Sequence, residues 1–321
     1  MIIRDKTITI FGGTGFLGHY VVKELADFGC KINVVTRNKQ KAADLKVGLS
    51  LGQLNMVEGS INDEAFVESI VSKSNIIINL VGCLFERHSG EFAKLHAQFP
   101  ELLAQLAQKH QLDQFIHVSA LGVDKSDTSL YASTKHAGEK AIKEHYSKSV
   151  ILRPSVIFGF EDNFINQFAS ISTISPFMPL IMGGRTKFQP VYVVDVAKSI
   201  AKIIQTNKFN NNIYEIGGPD IYSLKRMIEM ILQTLNRKRI LINLPHRIAL
   251  ILGNILSKFP NPKLTSDQVK LLTYDNVTQP NAATFYDLAI QPKSLDDLLP
   301  TILTRHQNPV YYSQDQSSQE L

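Results

Sequence analysis

Ile8-Thr9-Ile10-Phe11-Gly12-Gly13-Thr14-Gly15-Phe16-Leu17-Gly18 decides how the rest of this chain is read. A short apolar run feeds a glycine-rich turn, and the turn feeds the apolar-periodic segment Phe16–Phe28. The implied geometry is a buried strand, a tight loop, and a helix whose N-terminus points at whatever lies over the loop. Gly12, Gly13, Gly15 and Gly18 permit positive φ, close approach of backbone to a pyrophosphate, and close packing of helix on strand. The free N–H groups and positive dipole end of the helix then attract an anion. The whole stretch from Gly12 to Gly18, with Thr14, Phe16 and Leu17, is therefore a candidate cofactor-binding loop. A lone G-x-G-x-x-G is weak evidence; its place between a strand and a helix is the context that the motif requires.

The next strand reads as Lys31–Arg37, and its end lies about 20 residues past the glycines, where the ribose of a dinucleotide is met. An acidic residue there suits a free 2′-hydroxyl, and a basic one suits a 2′-phosphate. This chain has Thr36 and Arg37, followed closely by Lys39 and Lys41. Arg37 can pair with a phosphate through two parallel N–H groups, so NADP(H) is favoured over NAD(H), which stays the alternative. The competing reading is a solvated basic loop.

At 321 residues, 44% hydrophobic and 20% charged, the chain is an ordinary globular protein of one large or two smaller domains. Met1-Ile2-Ile3 is followed by Arg4, Asp5 and Lys6, which is no secretory leader, and no apolar run approaches the roughly 20 residues that span a bilayer. Cys30 and Cys83 stand alone, and His88, His96, His110 and His117 show no metal spacing, so no metal site is expected. The expectation is a soluble cytoplasmic protein, with a peripheral place on the inner membrane's cytoplasmic face as a variant of it. Charge is uneven. Between Lys225 and Lys270 nine basic residues stand against Glu229 and Asp267, an excess of seven in a chain of net charge +5. That asymmetry suits an acidic partner, a membrane surface or an anionic substrate, or simply a solvated face.

Strand-like and helix-like segments alternate for two hundred residues. Leu54–Gly59, Ile76–Val81, Phe115–Ala120 and Val150–Phe158 read as strands three to six, separated by helical patterns at Glu64–Ser72, Glu91–His110 and Leu130–Tyr146. This is the rhythm of an α/β Rossmann fold, a doubly wound parallel sheet covered on both faces. Beyond Phe160 prolines interrupt the pattern: a strand at Val191–Val194, a helix at Val196–Gln205 and a strand at Ile213–Ile216 precede the helices Ser223–Leu235 and Arg247–Phe259. The expected organisation is a Rossmann domain over 1–160 with 188–218 returning to the sheet. A smaller, mostly helical lobe would take 161–187 and 219–304, and a polar, disordered tail 305–321. His246–Phe259 is apolar on nearly all sides and flanked by cations, which fits a buried helix of the small lobe or one resting on lipid headgroups or a membrane partner.

The candidate chemistry lies in Tyr131-Ala132-Ser133-Thr134-Lys135, at the start of the helix after the fifth strand. A four-residue spacing puts Tyr131 and Lys135 on one helical face, where an ammonium stabilises a phenolate and makes it a usable proton donor or acceptor. With the glycine loop, Asn79-Leu80-Val81-Gly82, Leu152-Arg153-Pro154-Ser155, Val191–Ala197 and Tyr214-Glu215-Ile216-Gly217-Gly218, the chain resembles the short-chain dehydrogenase/reductase superfamily in its extended or atypical branch, over roughly residues 7 to 220. The resemblance implies that Val81 and Gly82 line the adenosine and ribose and that Ser60 and Ile61 lie near the adenine. It also implies that Pro154 to Val156 meet the nicotinamide carboxamide, and that Lys135 holds the nicotinamide ribose as well. The third catalytic group of that superfamily is a hydroxyl, at the position this chain fills with Ala120. Ser119, one step earlier, is the remaining candidate, but adjacent strand residues face opposite sides. The catalytic set reads as incomplete.

A narrower resemblance covers nearly the whole chain. His117-Val118-Ser119-Ala120-Leu121-Gly122, Gly138-Glu139, Leu264–Val269 and Asp275-Asn276-Val277 are similar to the dehydrogenase-like accessory subunit family of respiratory complex I and its bacterial relatives. That resemblance implies tightly held NADPH without evident turnover, and complex I subunits as partners. Two functions compete: a cofactor-holding accessory protein, and an active NADPH-dependent reductase or epimerase using Tyr131 and Lys135 on a lipid, quinone-precursor or nucleotide-sugar substrate. No motif points to nucleic acid.

Overall fold

Ile8, Ile10 and Phe11 are wholly buried, as are Ile76, Ile77 and Ile78, so consecutive residues on both faces of these strands are covered. Such strands belong to a parallel sheet sandwiched between helices. The computed structural model describes residues 3–40, 45, 52–125, 128–206 and 212–307 and divides into two units. The first comprises Met1–Pro154, Val193–Ile216 and Thr278–Gln291. Its elements are β1 (Thr7–Phe11), α1 (Phe16–Ala26), β2 (Lys31–Thr36), β3 (Leu54–Glu58), α2 (Glu64–Val71), β4 (Ile76–Asn79), α3 (Phe99–Lys109), β5 (Gln114–Val118), α4 (Leu130–His145), β6 (Ser149–Pro154), α5 (Val193–Thr206) and β7 (Asn212–Ile216). Seven parallel strands lie in the order β7-β6-β5-β4-β1-β2-β3, so the winding reverses between β1 and β4. The α/β Rossmann fold expected from the sequence is the fold observed.

Phe11, Val67, Ile77, Leu103, Phe115, Ile142 and Ile151 form one apolar layer, joining β1, β4, β5 and β6 to α2, α3 and α4. Ile8, Ile10 and Ile78, one step out of phase along their strands, point to the other face. There α1 packs on α5.

Local chemistry adjusts several expected boundaries. The sixth strand ends at Pro154 rather than Phe158, because Ser155 turns away to hydrogen-bond Asn276. Ile157–Phe158 pairs instead with Val191–Tyr192. The expected strand Val191–Val194 is thus two residues long, and α5 begins at Val193. The helix expected over Glu91–His110 is broken by a π-helical turn at Lys94–Gln98. Pro100 supplies the reason: it has no N–H for the carbonyl four residues earlier, and its ring displaces that carbonyl. The residue is His96, whose carbonyl oxygen lies only 2.0 Å from where a side chain on Gly138 of α4 would begin.

The second unit comprises Ser155–Tyr192, Gly217–Val277 and the described residues from Pro292 on. Phe158, Ile165, Met178, Met227, Ile228, Ile231, Leu295 and Leu299 form its core, drawn from the helices Phe164–Ile174, Leu224–Thr234 and Leu295–Ile302 and the parallel strand pair Phe177–Ile181 with Ile240–Leu244. Three departures from the expected organisation stand out, the first being that residues 155–160, 188–192 and 217–218, expected with the Rossmann domain, belong to the second unit. Residues 278–291 belong to the first unit, alongside β7, where the Glu215 N–H donates to Ala283 O at 2.8 Å. Of the expected tail, Thr304–Gln307 forms a helical turn with His306 buried, while 308–321 lie outside the described residues, as does Lys41.

Candidate dinucleotide site

The loop after β1 is set by contacts that only glycine permits. Gly12 has φ +83°, and a Cβ there would meet the Leu80 carbonyl carbon at 2.9 Å and the Val81 nitrogen at 3.0 Å. The loops after β1 and β4 therefore touch backbone to backbone at the point where the sheet's winding reverses, which is where open α/β sheets bind ligands. A Cβ on Gly18 would lie 2.5 Å from Gly12 O and from the Gly13 carbonyl, so α1 is pressed against its own entry loop. Gly15 stands at the N-terminus of α1 with no side-chain cap, and no acidic residue occupies the first turn. Among the described residues the amides of Phe16, Leu17 and Gly18 have no acceptor, as an anion site at a helix N-terminus requires. Thr14 is half-buried in the same loop. The residues present thus fit a pyrophosphate.

The other expected contact residues take up distinct places in their own units. Arg37 is exposed just past β2, with no ion pair among the described residues. Ser60 is exposed after β3, and its Oγ accepts the Asn62 N–H at 3.2 Å; Ile61 packs partly on the α2 side of the core. Val81 is half-buried, and its N–H donates to Asn79 Oδ1 at 3.0 Å, which shapes the turn after β4. Gly82 is exposed, and a Cβ there would come within 3.4 Å of Lys135 Nζ. Pro154 closes β6. Val156 opens the second unit, where its N–H donates to Asn276 Oδ1 at 3.2 Å and Ser155 Oγ donates to the same oxygen at 2.6 Å.

The chemistry-bearing residues gather on α4 and the π-helical turn. Ser129 caps α4 by accepting the Ala132 N–H, which fixes where Tyr131 and Lys135 fall. Lys135 is buried and its Nζ donates to Val118 O at 3.1 Å. Burial pushes its pKa down to about 8, against the pull of Glu139 and Cys83. The Tyr131 ring stands edge-on to His96 at 5.2 Å and to Phe92 at 5.8 Å between centroids. His96 is itself buried: Nε2 accepts the Cys83 N–H at 3.2 Å and Nδ1 meets Thr134 Oγ1 at 3.3 Å. Thr134 directs its hydroxyl proton at backbone carbonyls, so the imidazole is the neutral form protonated on Nδ1. Burial first and the Lys135 charge second hold its pKa down at about 3.

Ser119 is buried with no hydrogen-bond partner for Oγ among the described residues, while Ala120 is half-buried. Position 120 offers a methyl group where the resemblance calls for a hydroxyl. Beneath the site, Arg153 is locked by Glu139 at 2.6 Å, Asp124 at 2.7 Å and Glu215 at 3.7 Å. His117 is fully buried, with Nδ1 on Asn79 Nδ2 and a pKa well below its ordinary value because of burial.

His96 and the Glu139–Arg153 pair are the first unit's residues that sequence reasoning did not place in the site, and Asn276 is the second unit's partner of Ser155 and Val156 that it did not foresee. His96 had one readable signal, Pro100 four residues on. Arg153 and Asn276 act across 14 and 121 residues of chain, and no local pattern marks them.

A glycine cradle at the reversal point of this strand order, with free helix amides and a half-buried Tyr131 on the helix that carries the buried Lys135, defines a dinucleotide-binding Rossmann protein. The model of the NAD dependent epimerase/dehydratase family matches residues 8–217, and the chain belongs to that family. It is similar to the NADH-ubiquinone oxidoreductase 40 kDa subunit of Neurospora crassa, 29% identical over 97% of this chain and 82% of that one. It is also similar to the mitochondrial NADH dehydrogenase [ubiquinone] 1 alpha subcomplex subunit 9 of Arabidopsis thaliana, 32% identical over 89% of this chain and 74% of that one. Among solved structures, the dTDP-glucose 4,6-dehydratase DesIV of Streptomyces venezuelae shares the fold with a TM-score of 0.72 at 17% identity, over 96% and 99% of the two chains. The homologues named as complex I subunits align along nearly the whole chain, as the narrower sequence resemblance implies.

Proposed function

We propose that this chain is an accessory-subunit homologue of complex I that holds NADP(H) as a resident group in the cytoplasm, with respiratory-complex subunits as its partners. The carrying observation is a contrast within one site: the backbone contacts of the Gly12–Gly18 loop are complete, and the hydroxyl of the catalytic set is replaced by Ala120. The names of the relatives from Neurospora crassa and Arabidopsis thaliana supply the partner. The amides of Phe16 to Gly18 would hold the pyrophosphate, Arg37 the 2′-phosphate, Val81 and Gly82 the ribose, and Lys135 the nicotinamide ribose. When bound, the nicotinamide supplies hydride-transfer chemistry. Tyr131 and Lys135 can hold a proton beside it, and the Lys135 pKa of about 8 favours the second reading, an active reductase, to that extent. As a resident group the nucleotide stabilises the fold by about 2.7 kcal/mol at one hundred times its Kd.

The test is the native protein, purified with its nucleotide and its interaction partners. NADP(H) in the released nucleotide, together with respiratory-complex subunits that still co-purify with a Tyr131→Phe variant, supports the reading. Reduction of a carbonyl or quinone-precursor substrate with NADPH, abolished by Tyr131→Phe, would replace it with the reductase.

A further inference from the structure

The helix His246–Leu256 is packed inside out. Only Ala249 and Gly253 are buried, and a Cβ on Gly253 would lie 2.6 Å from the Ser266 nitrogen, so the small side chains let this helix press directly on the start of the helix Ser266–Leu271. Leu250 packs partly against the cluster of Ile181, Ala249 and Val269, but most of the large side chains do not. Ile248, Ile251, Leu252 and Ile255 are exposed by 49%, 60%, 39% and 52%, and Phe259 just beyond the helix by 60%. At 3.6 residues per turn Ile248, Ile251, Leu252 and Ile255 fall within roughly 100° of arc, one continuous stripe, and Phe259 follows in the turn after the helix. A contiguous apolar face of this kind marks an interaction surface, unlike singly scattered exposed residues.

The charges around the stripe indicate what covers it. Arg247 and Lys258 flank the stripe in sequence, one at each end of the helix, and both are exposed with no ion pair among the described residues. Lys263, exposed in the following loop, adds a third cation, and no Asp or Glu occurs between Pro245 and Ser266. Not all of the nearby positive charge is available. Arg237 and Arg239 are spent inside the unit, on carbonyls and hydroxyls at the C-terminus of the helix Phe164–Ile174, and Lys225 pairs with Glu229. What remains is an apolar stripe edged by cations, lying along a helix that is too short to cross a membrane. That is the pattern of a helix seated in the plane of an anionic bilayer surface, with aliphatic side chains at the acyl boundary and basic ones among phosphates.

We propose that the face formed by Ile248, Ile251, Leu252, Ile255 and Phe259 docks this protein on an anionic lipid bilayer, with Arg247, Lys258 and Lys263 meeting the headgroup phosphates. The inference does not rest on the cofactor reading. Its test is sedimentation of the full-length protein with vesicles of phosphatidylcholine alone or with 30% phosphatidylglycerol, at about 50 and 300 mM salt. The expected result is binding to the anionic vesicles that weakens roughly tenfold on neutral ones and weakens again at high salt. Ile251→Asp with Ile255→Asp should abolish binding at both salt concentrations, and Arg247→Glu with Lys258→Glu should lower it roughly tenfold on anionic vesicles only. These side chains are exposed, so an unchanged circular-dichroism spectrum and thermal unfolding transition of each variant serve as the check on folding. Absence of binding to anionic vesicles, or binding that the Ile251→Asp, Ile255→Asp protein retains, would overturn the proposal. So would a dimer in light scattering that the same variant dissociates, since the face would then belong to a second copy of the chain.

Discussion

The phosphate end and the chemical end of the site are held by different means. At the phosphate end the fixing contacts run from backbone to backbone, with Gly12 against Leu80 and Val81 and Gly18 against Gly12 and Gly13. No side-chain rotation can relieve such contacts, so the shape of the loop is fixed before any ligand arrives. At the chemical end the contacts run through side chains: Lys135 to a carbonyl, His96 between Cys83 and Thr134, Tyr131 edge-on to His96. Here the set is well packed but lacks the hydroxyl at position 120. The difference is one of means: the loop that would hold a pyrophosphate and the groups that would carry turnover are built by separate contacts on one fold.

The largest effect expected from breaking this contrast is at Gly18. Gly18→Val places a side chain inside the backbone of its own entry loop. NADPH heat in calorimetry should vanish, and stability should fall by about 3 kcal/mol or more. Retained NADPH binding would mean that the loop is less rigid than its contacts imply. Next comes the support under the chemical end. Glu139→Gln removes one of the three carboxylates that face Arg153 and leaves Asp124 and Glu215 in place, and a urea titration should show a loss of about 1.5–3 kcal/mol, the worth of hydrogen bonds to a charged group. A loss under 1 kcal/mol would make that ion pair incidental. Arg37→Asp sharpens the comparison within the binding half: NADPH affinity should fall roughly 10–100-fold while NADH affinity changes little. Equal weakening of both would remove the case for NADP(H).

The smallest effect near neutrality concerns His96. Its folded pKa of about 3 lies below the ordinary 6.5, so between these values the unfolded chain binds a proton that the folded one refuses. The stability contributed by the neutral imidazole is complete above pH 6.5 and is lost as pH falls towards 3. His96→Gln removes that dependence, so the difference in melting temperature between the native and variant proteins should shrink steadily from pH 7 to pH 4. A difference that stays constant over this range would show that His96 is not buried neutral.

The alternation of strands and helices, the glycine loop and the placing of Tyr131 and Lys135 on one helix were legible in the sequence because each rests on spacing within a few residues. Hydrophobic runs such as Ile76–Asn79 announce a doubly covered strand by composition alone. Boundaries set by distant partners were not legible. The sixth strand ends where Ser155 finds Asn276, 121 residues away, and residues 278–291 return to β7 through hydrogen bonds that no periodicity encodes. The π-helical turn lay between these cases: Pro100 marks the fault, but only the contact of the His96 carbonyl with Gly138 shows what the displaced turn packs against. The basic segment was legible as charge and not as surface, since Arg237 and Arg239 are consumed by internal carbonyls.

The segment beside β7 has a consequence of its own. β7 is an outer strand, and its free side would offer unpaired amides and carbonyls to a strand from any other molecule. Tyr214 bridges to Ala283, and the Glu215 carboxylate both accepts the Gln279 N–H at 2.7 Å and faces Arg153. An irregular ribbon thus occupies the rim that would otherwise invite aggregation, and the charge that fastens it is the one that steadies the arginine beneath the site. Truncation within that ribbon would show first as loss of solubility, ahead of any loss of ligand.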